Sequence, residues 1–272
     1  GAEVVVIFVA ALQWLASLPL GTRAAAKRRD WSYSLQSWWV GTIMAAMRRT
    51  FGLTFETRGQ DAVAPGPIVV LFRHVSIMDN LLPHVFVSAP NAIRLRWVLK
   101  QELLSDPALD IGGNRMPNYF VNRTSTDSET ERANIAALGA GMGANDGVLL
   151  YPEGTRFSRS RREKRMEQLA ESAPELHGIL AGHENVLPPR TGGVLALLDH
   201  GTDVVVAAHA GFEDLRGIKE IWQRTPVNRT ITLSFRRFAA ADIPTDSAGR
   251  KRWLHETWAW VGDEVTALIA GS

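Results

Sequence analysis

Short apolar runs at 68–72, 94–99, 118–122, 148–151, 204–209 and 230–236 alternate along the chain with stretches of helical spacing at about 79–88, 128–145, 159–173, 191–200 and 250–270. Runs such as Ile68-Val69-Val70-Leu71-Phe72 have the length and the β-branched, aromatic content of buried strands. Strands alternating with helices predict one α/β domain, with a largely parallel or mixed sheet flanked by helices. A chain of 272 residues, 46% hydrophobic, can bury one core of that size.

The polar residues behind these strands carry the chemical information. In an α/β sheet, loops at the carboxyl ends of the strands converge on a common crevice. Directly behind the first run stands Arg73-His74-Val75-Ser76-Ile77-Met78-Asp79, a base and a carboxylate with four residues between them. A histidine oriented by a carboxylate takes a proton from a hydroxyl near neutral pH, so His74 and Asp79 are the candidate catalytic pair. Gly147-Val148-Leu149-Leu150 repeats the device and leads into Tyr151-Pro152-Glu153-Gly154-Thr155-Arg156. Pro152 fixes φ and Gly154 permits a left-handed backbone, which places Glu153, Thr155 and Arg156 on a stiff turn. Between the two lies Asn118-Tyr119-Phe120-Val121-Asn122-Arg123. Arginine captures phosphate bidentately, so Arg123 and Arg156 at neighbouring strand ends point to a phosphate-bearing substrate.

His74-x4-Asp79, Phe120-x-x-Arg123, Glu153-Gly154-Thr155-Arg156 and Val186-Leu187-Pro188-Pro189-Arg190-Thr191-Gly192-Gly193 together resemble the four ordered blocks of the glycerolipid acyltransferases. The stretch from Glu153 to Thr191 is most similar to the subgroup of lysophosphatidic acid and lysocardiolipin acyltransferases, and the resemblance covers roughly residues 56–272. Where the family usually has Asn before the histidine, this chain has Arg73, a departure that bears on the local hydrogen bonding of the loop. The resemblance implies transfer of a fatty acyl group from acyl-CoA, or from acyl carrier protein, to the free hydroxyl of a lysophospholipid, by default 1-acylglycerol-3-phosphate to give phosphatidic acid. It implies no bound cofactor and no metal, since the thioester arrives activated. His74 would act as general base and Asp79 would fix its tautomer, with no enzyme nucleophile. Arg123, Glu153, Gly154, Thr155 and Arg156 would hold the head group.

The first fifty residues read differently. Val4 to Leu18 is apolar, interrupted by Gln13 and closed by Pro19, at the short limit for spanning a bilayer. Trp31 to Leu53 places Trp31, Leu35, Trp38, Trp39, Ile43, Met44 and Met47 near one side at helical spacing. Arg23, Lys27, Arg28, Arg29, Arg48 and Arg49 concentrate positive charge there although the whole chain carries only +2. Residues 1–55 are therefore expected to be a two-helix anchor dipping into one leaflet, and residues 56–272 the acyltransferase domain, with a cytoplasm-facing active site on a monotopic or peripheral membrane protein. The alternative is that both helices pack as core.

Other readings compete. The absence of cysteine excludes a thiol nucleophile and a disulfide framework. Ser76 lacks the Gly-x-Ser-x-Gly elbow of an exposed nucleophile. His84, spaced like a third ligand after His74 and Asp79, does not share a helix face with them. The basic run from Arg156 to Arg165 lacks the aromatic interleaving of a nucleic-acid site, and is open to coenzyme A phosphates, lipid head groups or a solvated face. Trp253, Leu254, Trp258, Val261, Val265 and Leu268 suit a packed closing helix. Two functions of other classes use the same residues: a lipid-phosphate or thioester hydrolase, and an inactive membrane lipid-binding protein.

Overall fold

The computed structural model describes residues 2–122, 128–215, 217–223 and 227–271. Helices α1 (Ala2–Ser17) and α2 (Ala24–Phe51) open the chain, joined by a 3-10 turn in which Gly21 takes a positive φ of 54°. The remaining elements are β1 (Thr54–Arg58), β2 (Ile68–Phe72), α3 (Ala89–Asn91), β3 (Arg94–Lys100), α4 (Pro107–Gly113), β4 (Tyr119–Val121), α5 (Ser128–Gly139), β5 (Asp146–Leu150), α6 (Arg159–Ser172), α7 (Pro174–Leu180), α8 (Thr191–Leu198), β6 (Asp203–Ala210), α9 (Ile218–Gln223), β7 (Thr230–Phe238) and α10 (Ser247–Ala270).

The strands form one sheet in the order β1-β7-β6-β2-β5-β3-β4. All neighbours are parallel except β6 and β7, so the sheet is mixed, as the alternation predicts. Side-chain alternation along each strand divides the core in two. Val69 and Leu71 join Val148, Val204 and Val206 beneath α5, α8 and the Trp253, Leu254, Trp258 and Val261 face of α10. Ile68, Val70 and Phe72 face the other way, with Leu95, Leu149, Val205, Leu82 and Phe212. All five β2 side chains are at 0% exposure, and each stabilises the fold by roughly 1.5–3 kcal/mol. The carboxyl end of β2 is therefore a rigid mount for the loop that carries His74.

Four features depart from the sequence expectation. The polar segment Glu56-Thr57-Arg58, outside every predicted strand run, is the outer part of edge strand β1, which pairs with β7 and exposes most of its side chains. The helix expected over 79–88 is instead a 3-10 turn, Ile77–Leu81, and then a π turn, His84–Ser88. Helix α5 stops at Gly139 rather than 145, ahead of Gly141 with φ +62°. Finally, the two-helix anchor reduces to one strongly apolar stretch. Among the described residues a single helical segment within residues 3–51, near the N-terminus, is long and apolar enough to cross a membrane by length and composition, and 17% of its apolar window is buried. Val4, Val5, Phe8, Leu12, Trp14, Leu15 and Leu18 lie exposed along it, while α2 is polar over much of its surface and buries Ala24, Ser32, Val40 and Met44.

Candidate active site

β2 delivers His74 and Asp79 to the carboxyl end of the sheet. Asp79 is fully buried in the 3-10 turn, where Ser76 caps the first turn and receives the Met78 amide. Oδ2 of Asp79 accepts from the Val75 amide at 2.6 Å and the Ser76 amide at 2.7 Å, and lies 3.2 Å from Nδ1 of His74. Burial alone would raise the Asp79 pKa, but the imidazoles of His209 and His74 and the Ser76 amide together hold it below its ordinary value. An ionised Asp79 makes Nδ1 of His74 the protonated nitrogen and leaves the Nε2 lone pair for another partner. That is the tautomer a general base requires.

The loop around this pair is fastened on several sides. The Phe157 amide donates to the His74 carbonyl at 2.8 Å, tying the Glu-Gly-Thr-Arg turn to the histidine loop. The Tyr151 ring lies on the His74 ring with centroids 4.5 Å apart, and its hydroxyl donates to the Asp79 carbonyl at 3.3 Å. Burial, with the Asp79 charge, pushes the Tyr151 pKa well above its ordinary value, so it stays a neutral phenol.

Arg73, at the position of the family's usual Asn, has 0% exposure. Its guanidinium donates to the carbonyls of Asn185 and His209 and to Glu213 at 2.8 Å. Burial raises the Glu213 pKa, but Arg73, by charge and hydrogen bond, outweighs it and keeps this carboxylate ionised. The substitution thus does not leave the loop loose: Arg73 ties it to β6 and to the segment before α8.

His74 stands at the wall of a cleft of about 570 Å³. Ile77, Leu99, Leu103, Val121 and Leu150 line it alongside four cationic side chains, Lys100, Arg132, Arg156 and Arg190. The lining comes from the ends of β2, β3, β4 and β5 and the first turns of α5 and α8, the place where a parallel sheet gathers its loops. Gly154 has φ +63°, and a Cβ there would sit 3.1 Å from Cδ of Arg190. The glycine lets the backbone turn and lets Arg190 lie across it.

The expected site residues separate into three groups. His74, Asp79, Gly154 and Arg156 meet at or beneath the cleft. Arg123 lies outside the described residues. Glu153 and Thr155 are not part of the cleft wall, and Glu153 is fully buried. Burial lifts its pKa to about 8 against the opposing influence of Arg73, Trp258, the Leu187 amide and Arg165. The Trp258 indole faces it without reaching full hydrogen-bonding geometry. Sequence reasoning missed Tyr151, Arg132, Arg190 and His209. Tyr151 follows β5 and Arg190 stands within a named block, but nothing local marks Arg132, inside α5, or His209. The basic run also divides: Arg162 donates to the carbonyls of Leu180, Ala181 and His183, and Arg165 to those of Glu153 and Pro188, so these two brace the fold.

A model of the acyltransferase family matches residues 54–210. Lysocardiolipin acyltransferase 1 of Danio rerio is 23% identical over 256 residues, covering 89% of this chain, and the chain spans 62% of the length of that relative. Among solved structures, the 1-acyl-sn-glycerophosphate (LPA) acyltransferase PlsC of Thermotoga maritima superposes with a TM-score of 0.59 at 15% identity, over 97% of this chain and 90% of that one.

Proposed function

The chain belongs to the acyltransferase family, and from that premise we propose that it moves a fatty acyl group from acyl-CoA to the free hydroxyl of a phosphate-bearing lysophospholipid, by default 1-acylglycerol-3-phosphate. The observation that carries this reading is the contact of His74 Nδ1 with an ionised, buried Asp79 at 3.2 Å, on the wall of a cationic cleft. Nε2 of His74 takes the acceptor hydroxyl proton as the oxygen attacks the thioester carbonyl. Asp79 stabilises the imidazolium that forms. The tetrahedral adduct then expels the coenzyme A thiolate, and the proton held by His74 leaves with it, so acyl and proton balance without an enzyme-bound intermediate.

Arg156, with Arg190 and Arg132, holds the acceptor phosphate, since guanidinium forks suit a phosphate monoester better than a single ammonium does. The apolar wall of Ile77, Leu99, Leu103 and Leu150 receives the first part of an acyl chain. In this reading the exposed apolar residues on α1 lie at a membrane surface, with the basic residues of α2 toward anionic head groups and the cleft toward the cytoplasm; what supports it is the apolar exposure of α1.

The test is acyl transfer from labelled long-chain acyl-CoA to a panel of lysophospholipids in detergent micelles, beside His74→Ala, with products resolved. Esterification of one acceptor, lost in the variant, is the expected result. Free fatty acid as the sole product would support the hydrolase instead, and transfer that survives His74→Ala would remove the base assignment.

A further inference from the structure

Asp79 has two carboxylate oxygens, and only one of them meets His74. Oδ2 takes two backbone amides and His74, whereas Oδ1 is buried and has no partner within ordinary hydrogen-bonding distance among the described residues. The group that faces it is the imidazole of His209, with Nε2 at 3.6 Å. His209 is fully buried on β6, with its ring against Phe72 at a centroid distance of 5.8 Å.

Two neighbours fix the protonation of this second histidine. Nε2 lies 3.1 Å from the Arg73 carbonyl, which only accepts, so Nε2 carries the hydrogen. Nδ1 is buried without a partner among the described residues, which suits the bare nitrogen of a neutral ring. The charged groups around the ring are Asp79 from the 3-10 turn, Arg73 from the end of β2 and Glu213 from beyond β6. Burial, aided by Arg73, outweighs the two carboxylates and lowers the His209 pKa. Arg73 and His209 also grip one another reciprocally, because Nη1 of Arg73 donates to the His209 carbonyl at 2.7 Å.

We propose that His209 is a positioning residue for the catalytic pair: its neutral Nε2–H, shared between the Arg73 carbonyl and Oδ1 of Asp79, holds the carboxylate from the side opposite His74. The arrangement is His74-Asp79-His209, in which the first histidine exchanges a proton and the second does not. A carboxylate gripped at both oxygens keeps its plane, and with it the direction in which Nε2 of His74 points into the cleft. Removing the donor leaves Oδ1 bare in a buried site and makes Asp79 a stronger acceptor toward His74. The apparent pKa of the pair then rises.

This rests on the reading of His74 as base, and the experiment keeps the two apart. His209→Leu, His209→Gln and His74→Ala are compared as full chains in detergent micelles, with kcat, KM and the pH profile of acyl transfer measured for each. His209→Gln retains an N–H near the position of Nε2. The expected result is a kcat at least tenfold lower in His209→Leu, KM for acceptor within about twofold of wild type, the acid limb moved to higher pH, and most of kcat restored in His209→Gln. Equal loss in both variants, or a kcat and pH profile unchanged by His209→Leu, overturns the proposal while leaving His74 in place. Transfer that survives His74→Ala overturns the base reading and this one with it. Nitrogen-15 shifts of the histidines in the wild-type protein need no variant to fold: His209 is expected as the neutral Nε2–H tautomer from pH 6 to 8, and a charged or Nδ1–H ring would overturn the inference equally.

Discussion

Replacing Glu153 by Gln tests the electrostatics beneath the site. Arg73 has one guanidinium charge, and Glu213 already takes it at 2.8 Å, so a second carboxylate in the same interior has little to offset its loss of water. Burial accordingly lifts Glu153 from 4.5 to about 8. Such a group keeps its proton in the folded protein at pH values where the unfolded chain has released it. Folding stability then falls as pH rises from about 4.5 toward about 8, and is flat above that. Each unit is worth about 1.4 kcal/mol, so the full window is on the order of 5 kcal/mol, and the part between pH 6 and 8 roughly 2–3 kcal/mol. Gln is neutral throughout and copies the shape of the protonated acid. Urea unfolding in micelles, monitored by tryptophan fluorescence, is expected to find Glu153→Gln gaining on wild type by that amount between pH 6 and 8. A difference between the two proteins that stays constant with pH would mean that Glu153 is ionised in the fold and that burial does not govern its charge.

Four further outcomes rest on the geometry. Arg156→Ala is expected to raise KM for the acceptor at least tenfold with a smaller change in kcat, and Arg156→Lys to recover part of it, as steady-state kinetics would record. Gly154→Ala forces a side chain into φ +63° and against Arg190, so a loss of about 1–2 kcal/mol in thermal unfolding and a weaker acceptor KM are expected together. Arg73→Met removes the partner of Glu213 and two carbonyl contacts; because Glu213 keeps one-third of its side-chain surface exposed, the cost is expected near the low end of the range for broken buried pairs, about 3 kcal/mol by urea unfolding. Phe8→Asp with Leu12→Asp is expected to reduce co-sedimentation with anionic vesicles while leaving circular dichroism unchanged, since both side chains are exposed.

The legible parts of the site are those that the chain writes locally. His74 and Asp79 fall in one short loop behind a strand whose apolar content announces it, and Gly154 and Arg156 stand behind β5 in the same way. The residues that escaped are held by contacts across the sheet. His209 stands 136 residues from Arg73, and only the parallel pairing of β2 with β6, Phe72 opposite Ala207, brings its ring beside Asp79. Side-chain direction was equally hidden. Glu153 and Arg156 share a turn of strongly polar sequence, yet Glu153 is fully buried near Trp258 of a helix about a hundred residues on, and Arg156 lines the cleft. Edge strand β1 escaped for a different reason: with one neighbour and a mostly exposed surface, Thr54–Arg58 lacks the apolar signature that marks β2.

Arg73 connects these features. A buried arginine is costly unless its donors are used, and here the Asn185 carbonyl, the His209 carbonyl and Glu213 use them. Its backbone carbonyl in turn sets the proton on His209, and that proton faces Oδ1 of Asp79. The same guanidinium bears on Glu153, in the turn that carries Arg156. One substitution at the position before the base therefore touches both halves of the proposed chemistry, the histidine that takes the proton and the turn that carries Arg156. Converting Arg73 to the family's usual Asn in isolation would keep the backbone carbonyl that meets the His209 ring, but would leave Glu213 without its cation and the His209 carbonyl without its donor. Arg73→Asn is thus expected to cost stability unless Glu213 changes with it, and non-additivity between Arg73→Asn and His209→Leu in kcat is the measurable sign of the coupling between them.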